Sequence, residues 1–137
     1  MSLTFILALG LLAGPSVAPQ LPPAPSRTPS AQTAAQETAI RAGIALHDQG
    51  KYDEAIARYQ AVLADSPDNV TALFEMAFSQ LAKNDYQQTL ATARKGAEYK
   101  SELLPMFYDI MGSALDASGE PQQAIAAYRR GVELVPD

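Results

Sequence analysis

The sequence contains no cysteine, which excludes disulfides, thiolate metal sites, thiol nucleophiles and a lipid-modified cysteine. That absence is compatible with an oxidising compartment and does not demonstrate one. Basic charge is also scarce: 10 Lys and Arg stand against 15 Asp and Glu, a net of -5. The longest basic runs are the pairs Arg94-Lys95 and Arg129-Arg130. Phosphate binding needs a basic face, so the composition argues against nucleic acid as a partner. His47 is the only histidine, and the carboxylates are spread among turns and rims, so no metal-ligand cluster forms. No Gly-rich phosphate loop occurs either, since the glycines end helices or pack them.

Catalysis has little to stand on. His47 and Asp48 are neighbours on one helix and project about 100° apart rather than touching, and a lone histidine near a glycine turn reads as a surface or capping residue. Ser113 and Asp116 can meet at i,i+3, but without a base they are not a nucleophile system. No catalytic residue, metal or cofactor is expected, and the chain reads as a non-enzyme.

Residues 1 to 26 carry no charge, and the first charged residue is Arg27. Within them Leu3 to Leu12 is an apolar run, shorter than the about 20 residues of a membrane span. It fits the core of a secretory signal ending at Ser16-Val17-Ala18. Against cleavage stand the lack of Lys or Arg ahead of the run and Pro19 directly after Ala18. The alternatives are an uncleaved membrane anchor and a mis-set start codon. Residues 1–18 are accordingly read as a signal peptide or anchor, and the protein as exported, to the periplasm or another extracytoplasmic space. Six of the ten prolines lie between Pro15 and Pro29. Proline lacks the amide donor and restricts its predecessor, so residues 19–30 are expected as an extended linker, either a tether or a connector left after processing.

From there the pattern is helical. Gly50-Lys51-Tyr52-Asp53-Glu54-Ala55-Ile56-Ala57-Arg58-Tyr59 returns in weaker form at Asn84 and at Gly119, intervals of 34 and 35 residues. A fixed period near 34 in helix-forming sequence means paired helices stacked repeat on repeat. The first helix is predicted from Ser30, as N-cap, to Gln49, and the second from Tyr52 to Ala64. The third runs from Asn69, capped by Asp68, to Lys83, and the fourth from Tyr86 to Lys100. Ser101 is expected to cap the fifth, with Pro105 in its first turn, and the sixth spans Pro121 to Leu134. Gly43, Ala77 and Gly112 recur on the first helix of each pair, Ala55 and Ala124 on the second. Such small residues let helix axes approach, and Tyr59 and Tyr128 fill the remaining gap. Tyr86, Tyr99, Phe107 and Tyr108 read as core.

With these marks the chain resembles a tetratricopeptide repeat (TPR) protein over about residues 36 to 137. The family's positions fall on Gly43, Gly50, Tyr52, Ala55, Tyr59 and Pro67 in the first repeat. In the third they fall on Gly112, Gly119, Ala124, Tyr128 and Pro136, with Pro121 replacing the turn-proximal tyrosine. The second keeps Ala77 and Tyr86 but has Thr89, Ala93 and Ser101 where alanine, aromatic and proline are usual. The resemblance implies an all-α fold, antiparallel helical hairpins stacked as a short right-handed α-solenoid. Its domain is 31–137, with repeats at about 36–69, 70–104 and 105–137.

It also implies that the first helix of each hairpin faces a concave groove. On that stripe lie Glu37, Ile40, Ile44 and His47, then Thr71, Phe74, Phe78 and Leu81, then Met106, Asp109 and Ser113. Ile40/Ile44 and Phe74/Phe78 are i,i+4 pairs. Ile40, Ile44, Phe74, Phe78, Leu81, Met106 and Asp109 are the candidate groove, and Asp48 and Asp116 its acidic rim, favouring a peptide or helix with apolar anchors and basic residues. The opposing readings are that the leader folds over this surface, or that Phe74 or Phe78 is wedged between hairpins. Some family members clamp a chaperone's C-terminal carboxylate with lysines, asparagines and an arginine. Ile40, Ile44, Glu75, Met106 and Ile110 stand at those positions, and none matches. The expected partner is a protein or peptide, with membrane contact only through an uncleaved N-terminus. The alternative role is self-association or assembly through the uncapped C-terminal edge, where Ile125, Val132 and Leu134 are expected partly exposed, or membership of a longer scaffold.

Overall fold

A computed structural model of the chain describes residues 20–135. The leader, residues 1–18, and the family's proline position at Pro136 lie outside the described residues. Six helices follow one another: α1 (Ala34–Asp48), α2 (Tyr52–Asp65), α3 (Val70–Ala82), α4 (Tyr86–Gly96), α5 (Leu104–Ala117) and α6 (Pro121–Glu133). Consecutive helices pack on one another throughout, and α1 meets α3 and α3 meets α5, so first helices line up side by side.

The turn closing each hairpin is the same device three times. Gly50, Asn84 and Gly119 all have positive φ, at 74°, 64° and 84°. In each the left-handed residue and its successor donate back to the helix: Gly50 N to His47 O and Lys51 N to Leu46 O, Asn84 N to Leu81 O and Asp85 N to Gln80 O, Gly119 N to Asp116 O and Glu120 N to Leu115 O. This pair of hydrogen bonds satisfies two orphan carbonyls at each helix end. Glycine enters the left-handed region freely and asparagine tolerates it, which is why Asn84 substitutes in the second repeat.

Helix starts differ from the sequence expectation. The first begins at Ala34 behind Thr33, whose hydroxyl accepts from Gln36 N while the Gln36 side chain accepts from Thr33 N. That reciprocal capping box outcompetes Ser30, whose N–H instead binds Asp68 Oδ2 at 2.8 Å. Asp68 being so engaged, Asn69 caps α3 through Ala72 N. Ser101 does not cap α5, which starts without a side-chain cap and has Pro105 in its first turn. The fourth helix stops at Gly96, short of Lys100.

Small-to-large packing fixes the hairpins. A β-carbon at Gly43 would run into the Tyr59 ring, and one at Gly112 would stand 2.5 Å from Tyr128. In the second hairpin Ala77 and Ala93, both fully buried, replace that glycine and tyrosine. The same gap is thus filled by a different division of volume. Tyr59 is 0% exposed and Tyr128 37%, because the first hairpin is covered by α3, whereas among the described residues α6 is followed by no helix that covers it.

The proline-bearing segment from residue 20 to 30 is extended and docks on the helical stack. Ser26 N and Arg27 N donate to Glu98 O, and Lys100 N donates to Arg27 O at 2.7 Å, a short parallel bridge at Tyr99. The Arg27 guanidinium lies 4.9 Å from the Tyr99 ring centroid and pairs with Glu98 at 3.1 Å. Tyr108 Oη donates to Pro22 O, and Leu21 packs against the main core. With Ser30 on Asp68, the segment straps the loops that join successive hairpins. Extended residues have free backbone groups, and the α4–α5 link, ended early by Gly96, offers matching ones.

Candidate functional site

The first helices carry a row of aromatic rings that crosses all three hairpins. The His47 imidazole stacks on Phe78 at 4.9 Å and 18°, with Tyr52 edge-on at 5.1 Å. Phe78 is offset-parallel to Phe74 at 6.2 Å and 5°, and Phe74 meets Phe107 edge-on at 5.9 Å. Offset and edge geometries at these spacings are favourable for aromatic pairs. Phe107 is fully buried, its ring seated over Gly96, where any β-carbon would collide with it. The row therefore runs from exposed Phe78, through half-buried Phe74, into the core at Phe107.

His47 is anchored as well as stacked. Its Nδ1 lies 2.8 Å from Ser79 Oγ, and Ser79 is fully buried. One imidazole thus ties α1 to α3, a structural role rather than the surface or capping place read from the sequence. The Tyr59 hydroxyl is buried near Ser79, whose own hydroxyl is engaged by His47. Burial first, and the charge of Glu75 second, push the tyrosine's pKa up to about 12. The Glu75 carboxyl is itself held above the ordinary carboxylate value, by burial and then by the charge of Asp48. Among the described residues neither Glu75 nor Asp48 has a salt-bridge partner.

The predicted groove residues divide. Phe78 and Met106 are exposed, at 43% and 42%. Ile44, Phe74 and Leu81 are half-buried against the two core clusters. Ile40 is 2% exposed and packs with Ala55, Tyr59, Val62 and Ala72. Ile40 thus lies in the core of the first hairpin rather than in a groove, because Gly43 draws Tyr59 close, while Ile44 stays half-buried at the edge of that core. Asp109 is exposed but leans on α6, where its Oδ1 would stand 2.9 Å from a β-carbon at Gly131. Asp48 and Asp116 are exposed. The sequence reading gave Phe107 to the core and noted Glu75 only for its sign. The repeat register alone could have shown that Glu75 and Ser79, at i,i+4, share the α3 face toward α1.

Comparison with known proteins agrees with this architecture. Residues 43–84 match the family model described as TPR repeat. The globular C-terminal domain of P. aeruginosa LpoP superposes with a TM-score of 0.71 at 18% identity, over 74% of this chain and 99% of that one. No curated protein matches the sequence. At such identity the structural likeness speaks for the fold. The period, the three left-handed turns and the matched segment agree that residues 43–84 form a TPR repeat, within a six-helix, TPR-like stack.

Proposed function

We propose that this chain is a non-catalytic protein-interaction module that holds a segment of a partner on the face formed by α1, α3 and α5. The observation that carries the reading is the exposed ring of Phe78, backed by His47 and Phe74 and accompanied by exposed Met106. A rigidly backed aromatic ring is a good anchor, since little side-chain freedom remains to be lost on binding. Burying the rest of Phe78 would contribute on the order of 1 kcal/mol by itself. Further apolar contacts at Ile44, Leu81 and Met106 would add to it. The acidic side chains Asp48 and Asp116 at the margin favour a partner with basic residues. TPR repeats commonly mediate such contacts. On the same reading the chain works outside the cytoplasm, exported or held at a membrane by its N-terminal segment.

The test uses Phe78→Ser and Met106→Ser, because Phe74 also supports Phe107 and its loss would disturb the core. Affinity capture from the source cell's extract should lose its specific partner in both variants while circular dichroism stays unchanged. A partner retained at full yield by the double variant would refute this face.

A second reading rests on the outer side of α6, where Ile125, Tyr128, Val132 and Val135 are exposed, Val132 at 73%. That face suits assembly with another subunit or a further repeat. Sedimentation of the chain and of Val132→Glu separates the readings, since only assembly predicts a fall in mass.

A further inference from the structure

Resting on the assembly reading of the α6 face, we infer that copies of this chain stack head to tail, the outer face of α6 in one copy seating on the outer face of α1 in the next. The repeat register says what kind of object fits α6. Tyr59 and Leu63 on α2 return as Ala93 and Ala97 on α4 and as Tyr128 and Val132 on α6, at the same intervals of 34 and 35 residues that separate the turns. In the first two hairpins these places are covered by the first helix of the next hairpin, since α3 packs on α2 and α5 on α4. Tyr59, Ala93 and Ala97 are accordingly sealed, and Leu63 packs against both core clusters. On α6 the same two places stand open, Val132 at 73%, with exposed Ile125 beside them. A first helix in the register of α3 and α5 is what that face lacks among the described residues.

The first helix of another copy carries the matching stripe. The core clusters take Leu73 on α3 and Tyr108 and Met111 on α5, with Met76 packed against them. The same register on α1 gives Ala39 and Ala42, with Ala35 and Leu46 a turn to either side. Ala35 and Ala42 are exposed, Ala39 and Leu46 half-buried, and no charge falls on the stripe. A helix that closed a stack would have a polar outer face; this one is apolar and small. Beside it a hollow of about 200 Å³ opens between α1 and α2, with Ala35, Ala39, Ala61 and Val62 among its walls. Within the chain, large Tyr108 and Met111 meet small Ala93 and Ala97. Between copies, large Tyr128 and Val132 meet small Ala39 and Ala42, so the volume is divided the other way and still fills. Pairing α6 with its own copy would oppose bulk to bulk and leave the alanine stripe uncovered. A contact between two different faces that repeats the hairpin-to-hairpin step does not close, and rows of copies grow from it.

Sedimentation equilibrium on the chain and two surface variants tests this. The unsubstituted chain should gain mass with concentration, past the dimer. Val132→Glu blocks one face and Ala42→Glu the other, so each alone should be monomeric with unchanged circular dichroism. Their equimolar mixture should stop at about twice the monomer mass, because each variant keeps the face the other has lost. The lysine pair, Val132→Lys with Ala42→Lys, should behave alike, which separates loss of fit from added negative charge. A dimer formed by Ala42→Glu alone, or a mixture that stays monomeric while the unsubstituted chain assembles, would overturn the head-to-tail contact and leave the assembly reading in place. An unsubstituted chain that is monomeric at every concentration would remove both.

Discussion

The His47 ring lies flat against Phe78 while its Nδ1 reaches Ser79 Oγ at 2.8 Å, so one side chain of the first hairpin holds both an exposed ring and a buried hydroxyl of the second. Removing it should loosen the α1–α3 contact. His47→Ala loses the stack and leaves Ser79 without its partner, for a cost of about 1–3 kcal/mol. Urea denaturation checks this. His47→Ala with an unchanged midpoint would show that the contact carries no stability.

The glycines fall into two kinds with different penalties. Gly96→Ala and Gly112→Ala place a β-carbon inside the rings of Phe107 and Tyr128, and overpacking of this sort costs about 1–3 kcal/mol. Gly112→Ala should be the milder, because Tyr128 is at the surface and can move, whereas Phe107 is enclosed. Gly50 has open space around it and φ of +74°, so Gly50→Ala is penalised only by conformation, about 1 kcal/mol. Asn84→Gly, at φ 64°, should be neutral or slightly stabilising. Thermal melts of the four variants should fall in that order.

The proline-bearing strap makes a distinct prediction for hydrogen exchange. Lys100 N donates to Arg27 O at 2.7 Å, so the Lys100 amide should be protected in the full chain. A chain starting at Ala31 should exchange that amide rapidly and lose some stability with the burial of Leu21. Arg27→Ala should cost less than about 1 kcal/mol, since its pair with Glu98 is solvent-exposed. Rapid exchange of Lys100 in the full chain would show the strap to be detached.

Two carboxyls act in opposite directions with pH. Glu75 has a raised pKa through burial and then Asp48, so folding favours its protonated form. Its contribution is fully favourable below the ordinary glutamate value and is lost as pH rises through the raised one. Asp68 has a lowered pKa, held down by hydrogen bonds from Ser30, side chain first and backbone second. Its contribution is present above the ordinary aspartate value and is lost as pH falls through the lowered one. Glu75→Gln should therefore stabilise the chain at neutral pH and flatten that part of the profile. Asp68→Asn should remove the acid-side decline. Unfolding free energies measured against pH for both variants decide the matter.

Most of the architecture was legible because its causes are local. Gly50, Asn84 and Gly119 mark turns by backbone conformation alone, and a shared interval near 34 residues makes hairpins of the helices between them. The aromatic face was only half legible. Phe74 and Phe78 follow from spacing, but the sense in which each helix turns its stripe depends on neighbours. Ile40 went to the core because Tyr59 presses on Gly43, and Asp109 went to α6 because Gly131 leaves room. Helix caps were misread where two candidates competed, as with Ser30 and Thr33, since the loser had a better partner elsewhere in the chain.

The sequence by itself determined the repeat, the turns and the small-to-large exchange within each hairpin, because these depend on conformational freedom and volume within a few dozen residues. Tertiary structure decided that the proline segment docks, that His47 ties two hairpins, and that Phe78 faces outward while Phe107 does not. Each of those outcomes is a competition among groups far apart in the chain, and only their assembled positions fix which partner a free N–H, hydroxyl or ring can reach.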